Sequence, residues 1–340
     1  MSTIKPQGLG NYGNTCYLNA LFQSFAFMDA TFDWSCTPAI PTDSFAMHVK
    51  NVISGLRGSR ANSNMRNFVT ALKSLGARGE LASYTSQLNS VVLELVDGKM
   101  QDADEVLKAL LTVEDLEDLA DIMCCTIEEH IECPTKGCET IVRLLPVQSL
   151  IRGTAKAVAS CLNPWSEERT VTCGQCGVGC EKTYTNSIVQ WPKVLRVDMN
   201  RSIEEMHEPL NVPLKFRADD THEYCLNAAI CRRGRTTTYV IFISPFQFPL
   251  RHLPLARSTG HFFAILLKPG SAVGWIANDV SISEVDVSKG DGRRMMEDTA
   301  FILFYTQCVA VSPTPVGDAV EGYDPSMAAN APHEKGENEN

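Results

Sequence analysis

The sequence predicts an α+β fold, with helices in its first third and an antiparallel sheet after them. Up to about residue 125, apolar residues recur at three- and four-residue spacing, which is typical of helices packed on a core. From Cys133 onward, short alternating segments separated by turn residues indicate strands. Helices followed by strands favour α+β over an alternating α/β order. The 340 residues, 44% of them hydrophobic, suffice for a sizeable core.

The first predicted helix begins at about residue 16, after a polar turn that contains several glycines. One of its faces carries apolar residues at helical spacing: Leu18, Leu21, Phe22, Phe25 and Met28. The same spacing predicts further helices over residues 47–56, 65–75 and 104–111.

Alternating apolar and polar residues predict the strands of the sheet. They cover residues 140–145, 147–151, 182–190, 194–199, 223–231, 238–243, 262–267 and 301–307. Residues 312–340 are rich in Pro, Ala, Gly, Asn and Glu, and we expect this tail to be disordered.

The composition excludes several classes of protein. A net charge of −10 argues against nucleic acid as the main partner. The first residues lack the apolar stretch of a secretory signal, and no segment has the length of a membrane-spanning helix, so we expect no membrane association. The 13 cysteines are then expected to be reduced, some of them metal-bound, rather than paired in disulfides. These features favour a cytoplasmic or nuclear protein.

Cys16 lies at the predicted start of the first helix, within the glycine-rich segment 8–23. Free backbone N–H groups and the helix dipole at such a position favour a thiolate. A cysteine alone is more often a buried core residue. Far downstream, however, His261 follows a glycine, and Asn278 and Asp279 follow a further strand. Cysteine, histidine and then an amide or acid is the order typical of a cysteine peptidase.

These residues resemble the ubiquitin-specific proteases, the papain-like cysteine peptidases that remove ubiquitin. Further segments resemble family landmarks, in the family's order: the acidic helix 101–111, four cysteines of the fingers, the palm strand 191–197 and the closing strand 300–305. The resemblance implies a catalytic domain over residues 1–311. It would have a helical thumb, an antiparallel β palm, and zinc-ribbon-like fingers at about 126–190.

The resemblance also implies roles for the candidate catalytic residues. Cys16 would be the nucleophile and His261 the general base. Asn278 matches the family's third catalytic position, and Asp279 matches an acidic neighbour that shares or supports this role. Asn11 matches the family's oxyanion donor, although an asparagine also suits a turn.

The substrate implied by the resemblance is ubiquitin or a ubiquitinated protein, whose tail ends in Gly-Gly. Gly260 and Gly13 are the positions where backbone could approach that tail closely. Asp102 and Glu105 match the family's grip on the basic tail of ubiquitin. The alternative for this pair is a solvated helix face.

Four cysteines form a candidate zinc site with one ion per chain. Cys173 and Cys176 have two residues between them in a knuckle, whereas Cys133 and Cys138 have four. Clustered thiolates favour zinc over oxygen-preferring metals. Three further cysteines lie nearby in the sequence: Cys124, Cys125 and Cys180. The alternative is that zinc has been lost and only the turns persist.

The sequence departs from the family in residues 232–259, which are longer than the usual link and contain five arginines without an acid. Arg232 stands near a position where the family commonly has a second histidine. The expected function is a monomeric, thiol-dependent deubiquitinase. The alternatives are a weak or inactive ubiquitin-binding scaffold and a peptidase for a related modifier. A zinc hydrolase is excluded, because four cysteine ligands leave no open coordination position.

Overall fold

The computed structural model describes residues 5–37, 44–58, 60–78, 101–147, 150–151, 165–199, 209–234 and 260–308. Met1–Cys308 forms one compact unit. The predicted tail, the strand at 238–243 and most of the arginine-rich segment lie outside the described residues. No helix in the described ranges is both long and apolar enough to cross a bilayer.

The helices of the described chain lie mainly before residue 125, as the sequence predicts. They are α1 (Cys16–Phe27), α2 (Asp29–Cys36), α3 (Phe45–Leu56), α4 (Ala61–Arg78), α5 (Ala103–Leu111), α6 (Glu117–Met123) and α7 (Gly290–Thr299). A single 3-10 turn, Glu114–Leu116, precedes α6. Helices α2, α6 and α7 have no counterpart in the sequence-based prediction.

The described strands form a small sheet and a large one. The small sheet has the order β2-β1-β5-β4, with β1 (Cys125–Glu132), β2 (Ile141–Val147), β4 (Trp165–Thr172) and β5 (Gly179–Gln190). All its pairs are antiparallel. It spans the predicted fingers.

The large sheet has the order β11-β10-β9-β8-β12-β6-β3, and β7 pairs with β8. Its members are β3 (Leu150–Ile151), β6 (Val194–Asp198), β7 (Lys215–Arg217), β8 (Glu223–Gly234), β9 (Gly260–Leu267), β10 (Val273–Asn278), β11 (Ser281–Asp286) and β12 (Ala300–Gln307). Its described pairs are antiparallel except β3 with β6. Together with the early helices, this sheet confirms the predicted α+β class.

Helix α1 lies in the middle of the core, against β8, β9 and α3. All its residues from Cys16 to Ala26 are buried, including the polar ones. The sequence predicts only one buried face, because the neighbours that cover the other faces come from distant parts of the chain. On β9, alternate residues serve two apolar clusters: Phe262 faces that of α1, and Phe263 faces the other side of the sheet.

One disulfide contradicts the expectation of reduced thiols. Cys225 on β8 and Cys308, directly after β12, are bonded, with their Cα atoms 6.1 Å apart. The two residues are 83 positions apart, and the antiparallel pairing of β8 with β12 brings them together. The expectation is therefore wrong for this pair, since strand pairing is not visible in cysteine spacing. None of the other described cysteines forms a disulfide.

Candidate active site

The turn before Cys16 is held by hydrogen bonds within residues 11–15. Thr15 Oγ1 accepts from the N–H of Tyr12 at 3.0 Å, and the N–H of Thr15 donates to Asn11 Oδ1 at 3.1 Å. Gly13 has φ +95° and Asn14 φ +55°, both left-handed. The structure thus gives Gly13 a conformational role, and the space beside its α-carbon is open. Its predicted contact with substrate stays a prediction.

Cys16 is the first residue of α1, as predicted, and its side chain is only 3% exposed. Burial raises the pKa of the thiol, and the nearby Asp279 carboxylate raises it further. The backbone N–H groups of Phe262, Tyr17 and Cys16 itself lower it, but by less. The expectation of a thiol acidified by the helix start is therefore wrong for this arrangement, because desolvation outweighs the N–H groups.

His261 and Asn278 lie on the neighbouring strands β9 and β10. His261 Nε2 and Asn278 Oδ1 are 2.5 Å apart. Since an amide oxygen only accepts, Nε2 carries the proton, and Nδ1 is left to accept one. Asn278 thus holds the imidazole, which is the geometry expected of the third catalytic residue.

In the described structure, the Cys16 thiol and the His261 imidazole are not hydrogen-bonded to each other. In the described part of the chain, no hydrogen bond links Cys16 Sγ to the imidazole, and the neighbours that shift the thiol's pKa do not include His261. Catalytic hydrogen bonds often tighten only when substrate is bound. The structure therefore has the imidazole of His261 held by Asn278 and the thiol of Cys16 buried, with its pKa raised.

In the described structure, the hydrogen bonds of Asp279 go to the segment before Cys16 and to α1, and not to the histidine. Its Oδ2 accepts from Asn11 Nδ2 at 3.1 Å, and its Oδ1 accepts from Asn19 Nδ2 at 2.7 Å. Its carbonyl accepts from the N–H of Leu9 at 2.8 Å and from Gln23 Nε2 at 3.4 Å. With φ +49°, Asp279 directs both its side chain and its carbonyl to this segment and to α1.

Asn11 has one side-chain N–H available to stabilise an oxyanion. Its amide nitrogen carries two hydrogens, and one is donated to Asp279. The second can point at a developing oxyanion while the first fixes the side chain. This geometry suits the predicted oxyanion role and also the turn role, because Asn11 Oδ1 accepts from Thr15.

Two buried amides that support this arrangement were missed by the sequence analysis. Asn19 and Gln23 lie on α1 and donate to Asp279. Each leaves its side-chain oxygen buried without a partner in the described structure. Polar residues at buried helix positions were the available signal, since buried polar groups are normally hydrogen-bonded.

The two predicted acidic residues of α5 differ in environment. Asp102 is the N-cap, and its Oδ1 accepts from the N–H of Asp104 at 2.8 Å. Its Oδ2 lies 3.9 Å from Arg232 Nη1, and its side chain is 28% exposed. Glu105 is exposed on the same turn, and the partial desolvation of its carboxylate, together with the carboxylates of Asp102 and Asp104, raises its pKa. Asp102 is thus not part of a solvated face, whereas Glu105 faces solvent.

A buried arginine fixes the same helix to the palm. Arg196 on β6 is 1% exposed and donates to both oxygens of Asp198, at 2.9 and 2.8 Å. It also donates to Asp104 of α5. Burial raises the pKa of Asp198 to about 6, although Arg196 lowers it. The network is not visible in the sequence, because Arg196 lies between two apolar residues of β6 and its partner Asp104 comes from a distant helix.

The four predicted metal ligands come together at one end of the fingers. The sulfur atoms of Cys133, Cys138, Cys173 and Cys176 all lie within 4.8 Å of one another. A tetrahedral zinc site with Zn–S bonds of about 2.3 Å needs sulfur atoms roughly 3.8 Å apart. The donor set therefore fits a metal ion. Cys180 is also close, with its Sγ 3.6 Å from that of Cys133.

Comparisons with known proteins agree with this geometry. The family model described as ubiquitin carboxyl-terminal hydrolase matches residues 7–305. No curated protein matches the sequence. A solved structure of the yeast SAGA DUB module with an Sgf73 mutant is 16% identical, with a TM-score of 0.60, over 91% of this chain and 72% of the other.

Two further solved structures hold the module Ubp8/Sgf11/Sus1/Sgf73, one bound to monoubiquitin and one to ubiquitin aldehyde. Each is 15% identical, with a TM-score of 0.57, over 91% of this chain and 72% of the other. At these identities the likeness shows a shared fold. Because the family model covers most of the sequence, the chain belongs to the ubiquitin carboxyl-terminal hydrolase family.

Proposed function

We propose that Cys16, His261 and Asn278 are the catalytic triad of this deubiquitinase, with Asn11 as oxyanion donor and Asp279 as its support. The observation that carries the proposal is the hydrogen bond from His261 Nε2 to Asn278 Oδ1, which leaves Nδ1 to accept the thiol proton. Hydrolysis would cleave isopeptide or peptide bonds after the C-terminal glycine of ubiquitin.

The first half-reaction transfers the acyl group to sulfur. His261 Nδ1 takes the proton of Cys16, and the thiolate attacks the carbonyl carbon of the terminal glycine. The C–S bond forms, and the carbonyl electron pair moves to the oxygen, which accepts hydrogen bonds from the Cys16 backbone N–H and Asn11 Nδ2. When this pair returns, the C–N bond breaks and His261 protonates the leaving amine.

The second half-reaction returns the free enzyme. Water loses a proton to His261 Nδ1 and attacks the thioester carbon. The C–S bond then breaks, ubiquitin leaves with a free carboxylate, and Cys16 regains the proton from His261. In both halves Asn278 keeps the imidazole in one tautomer, which is the role of a third triad member.

Ubiquitin as substrate is supported by the family and by the charge near the site. The neighbouring structures of Ubp8 hold monoubiquitin and ubiquitin aldehyde. Glu105 offers an exposed carboxylate to a basic tail, and Gly260 has no side chain beside His261. We assign substrate binding to Glu105 and Gly260 on these grounds, and to Asp102 from its position at the start of the helix that carries Glu105.

We assign one structural zinc ion to Cys133, Cys138, Cys173 and Cys176. Four thiolates without an oxygen donor suit zinc, which would crosslink the two turns at the end of the fingers. These cysteines must be reduced to hold the ion, which supports a cytoplasmic or nuclear location. We also propose a monomer, although the Ubp8 chains belong to a module with Sgf11, Sus1 and Sgf73.

The burial of Cys16, which raises the pKa of its thiol, favours one second candidate, a scaffold that binds ubiquitin with weak turnover. One experiment separates the candidates. The purified protein is treated with ubiquitin and related modifiers that carry a C-terminal electrophile, and with a fluorogenic ubiquitin amide. Labelling at Cys16 together with turnover supports the deubiquitinase. Binding without either result supports the scaffold, and labelling only by another modifier reassigns the substrate.

A further inference from the structure

The guanidinium group of Arg232 lies beside the candidate active site. It lies on β8 opposite Phe262 of β9, and its side chain is 13% exposed. The guanidinium carbon is 5.6 Å from the centre of the Phe262 ring and 5.8 Å from that of Phe301. These aromatic faces attract the cation and fix its position.

Arg232 lies beside Asp102, the carboxylate proposed to bind the substrate tail. Arg232 Nη1 is 3.9 Å from Asp102 Oδ2, while Asp102 Oδ1 already caps α5. Both oxygens of Asp102 thus have a partner within the protein. Burial raises the pKa of Asp102, and Arg232 acts against this shift. The charge of Asp102 is therefore compensated before any substrate arrives.

Arg232 is also close to the reacting groups. A Cβ placed on Gly260 would lie 3.0 Å from Arg232 Nε, so the two residues border the same space. The residue after Gly260 is the proposed base His261, and the N–H of Phe262 contacts the Cys16 thiol. A substrate tail that reaches Cys16 past Gly260 must therefore pass Arg232.

We infer that Arg232 is a specificity-determining residue that makes this enzyme nearly indifferent to basic residues in the substrate tail. A basic residue near Asp102 would have to displace a like charge, so it gains little there. Glu105 is left as an exposed carboxylate, and exposed ion pairs contribute little. The inference rests on the proposed function, because it assumes that a modifier tail occupies this cleft.

The test compares ubiquitin with a variant whose tail arginines are replaced by alanine, both as fluorogenic C-terminal amides. The measured quantity is the ratio of kcat/KM for the two substrates. For the wild-type enzyme we expect a ratio of about 3, in the range of an exposed ion pair. For Arg232→Ala, which frees Asp102, we expect about 10 or more, as for a charge-assisted hydrogen bond.

Two further variants control the comparison. Arg233→Ala removes the next arginine, whose side chain lies over Phe263 and on Met295, on the other face of the sheet. The kcat/KM ratio of Arg233→Ala should equal that of the wild type. An effect of the substitution on the chemical step would change both kcat/KM values equally and so cancel in the ratio. Arg232→Lys keeps the charge, so it should also keep the low ratio, and it serves if Arg232→Ala does not fold.

Equal ratios for the wild type, Arg232→Ala and Arg232→Lys would overturn the inference. So would a wild-type ratio that already exceeds about 10, because Asp102 would then be accessible to the tail. Absence of turnover with every substrate would contradict the proposed function instead. In that case the ratio of Kd values for the two ubiquitins, measured by calorimetry in the same variants, decides the role of Arg232.

Discussion

Replacing Asp279 by asparagine should lower kcat and at the same time acidify the Cys16 thiol. The carboxylate accepts from Asn11 at 3.1 Å and from Asn19 at 2.7 Å, so it needs two acceptor atoms. The substituted amide has only one oxygen, and its NH₂ group would face the NH₂ of the other partner. Asn11 would then lose its support, and Cys16 would lose the negative charge that raises its pKa.

The magnitude follows from the number of hydrogen bonds lost. One bond to a charged acceptor contributes about 1.5–3 kcal/mol. Removal of an oxyanion donor outright costs about 10²- to 10³-fold in kcat. Because Asn11 is loosened and not removed, we expect about a 10- to 100-fold fall in kcat with a smaller change in KM.

Two assays check this prediction. Steady-state hydrolysis of a ubiquitin C-terminal amide gives kcat and KM, and the pH dependence of alkylation of Cys16 by iodoacetamide gives the thiol pKa. The alkylation midpoint should lie at lower pH in Asp279→Asn than in the wild type. Asn278→Ala is the matched comparison: it should lower kcat by about 10- to 10⁴-fold through loss of imidazole orientation, without that shift. An unchanged thiol midpoint in Asp279→Asn, or a wild-type kcat in Asn278→Ala, would refute the reasoning.

Three further predictions concern the nucleophile, the metal and the core. Cys16→Ala should abolish amide hydrolysis and retain ubiquitin binding; residual turnover would move the nucleophile elsewhere. Protein purified without chelators should contain about one zinc ion per chain, and chelation should weaken ubiquitin binding, because structural zinc is coupled to folding; metal analysis without zinc rejects the assignment. Arg196→Met should reduce the free energy of unfolding in urea by about 3–5 kcal/mol, since it leaves buried carboxylates unpaired. The native pKa of Asp198, raised to about 6, exceeds that of the unfolded chain, so its charge destabilises the native state above that pH. The decrease in the free energy of unfolding caused by Arg196→Met should therefore be larger at about pH 8 than at about pH 5. A decrease independent of pH would contradict this prediction.

Local patterns determined the order of elements and the identity of the candidate catalytic residues. The spacing of apolar residues is a property of neighbours in the sequence, so it located α1, α3, α4 and α5 in the described chain. The strands were found only in part. The segment 147–151 divides between the end of β2 and the short β3, and four described strands, β1, β4, β7 and β11, were not predicted. The glycine-rich segment before Cys16 and the pair Asn278 and Asp279 are equally local.

The tertiary structure alone decided which of these residues touch. Asn278 and Asp279 are adjacent in the sequence and equally able to hold a histidine, yet the left-handed φ of Asp279 directs it to Asn11 and Asn19. Long-range strand pairing likewise brings Cys225 to Cys308. Such contacts join residues far apart in the chain, and no pattern of neighbouring residues encodes them.

The charge state of the site also depended on the fold. The sequence placed Cys16 at a helix start and so indicated an acidic thiol, but burial and Asp279 raise its pKa. Arg232 and Arg196 show the same limit, because each acts on a carboxylate of α5 from a different strand of the palm. A sequence identifies which groups can ionise, whereas their solvation and their distances to other charges arise only when the chain is packed.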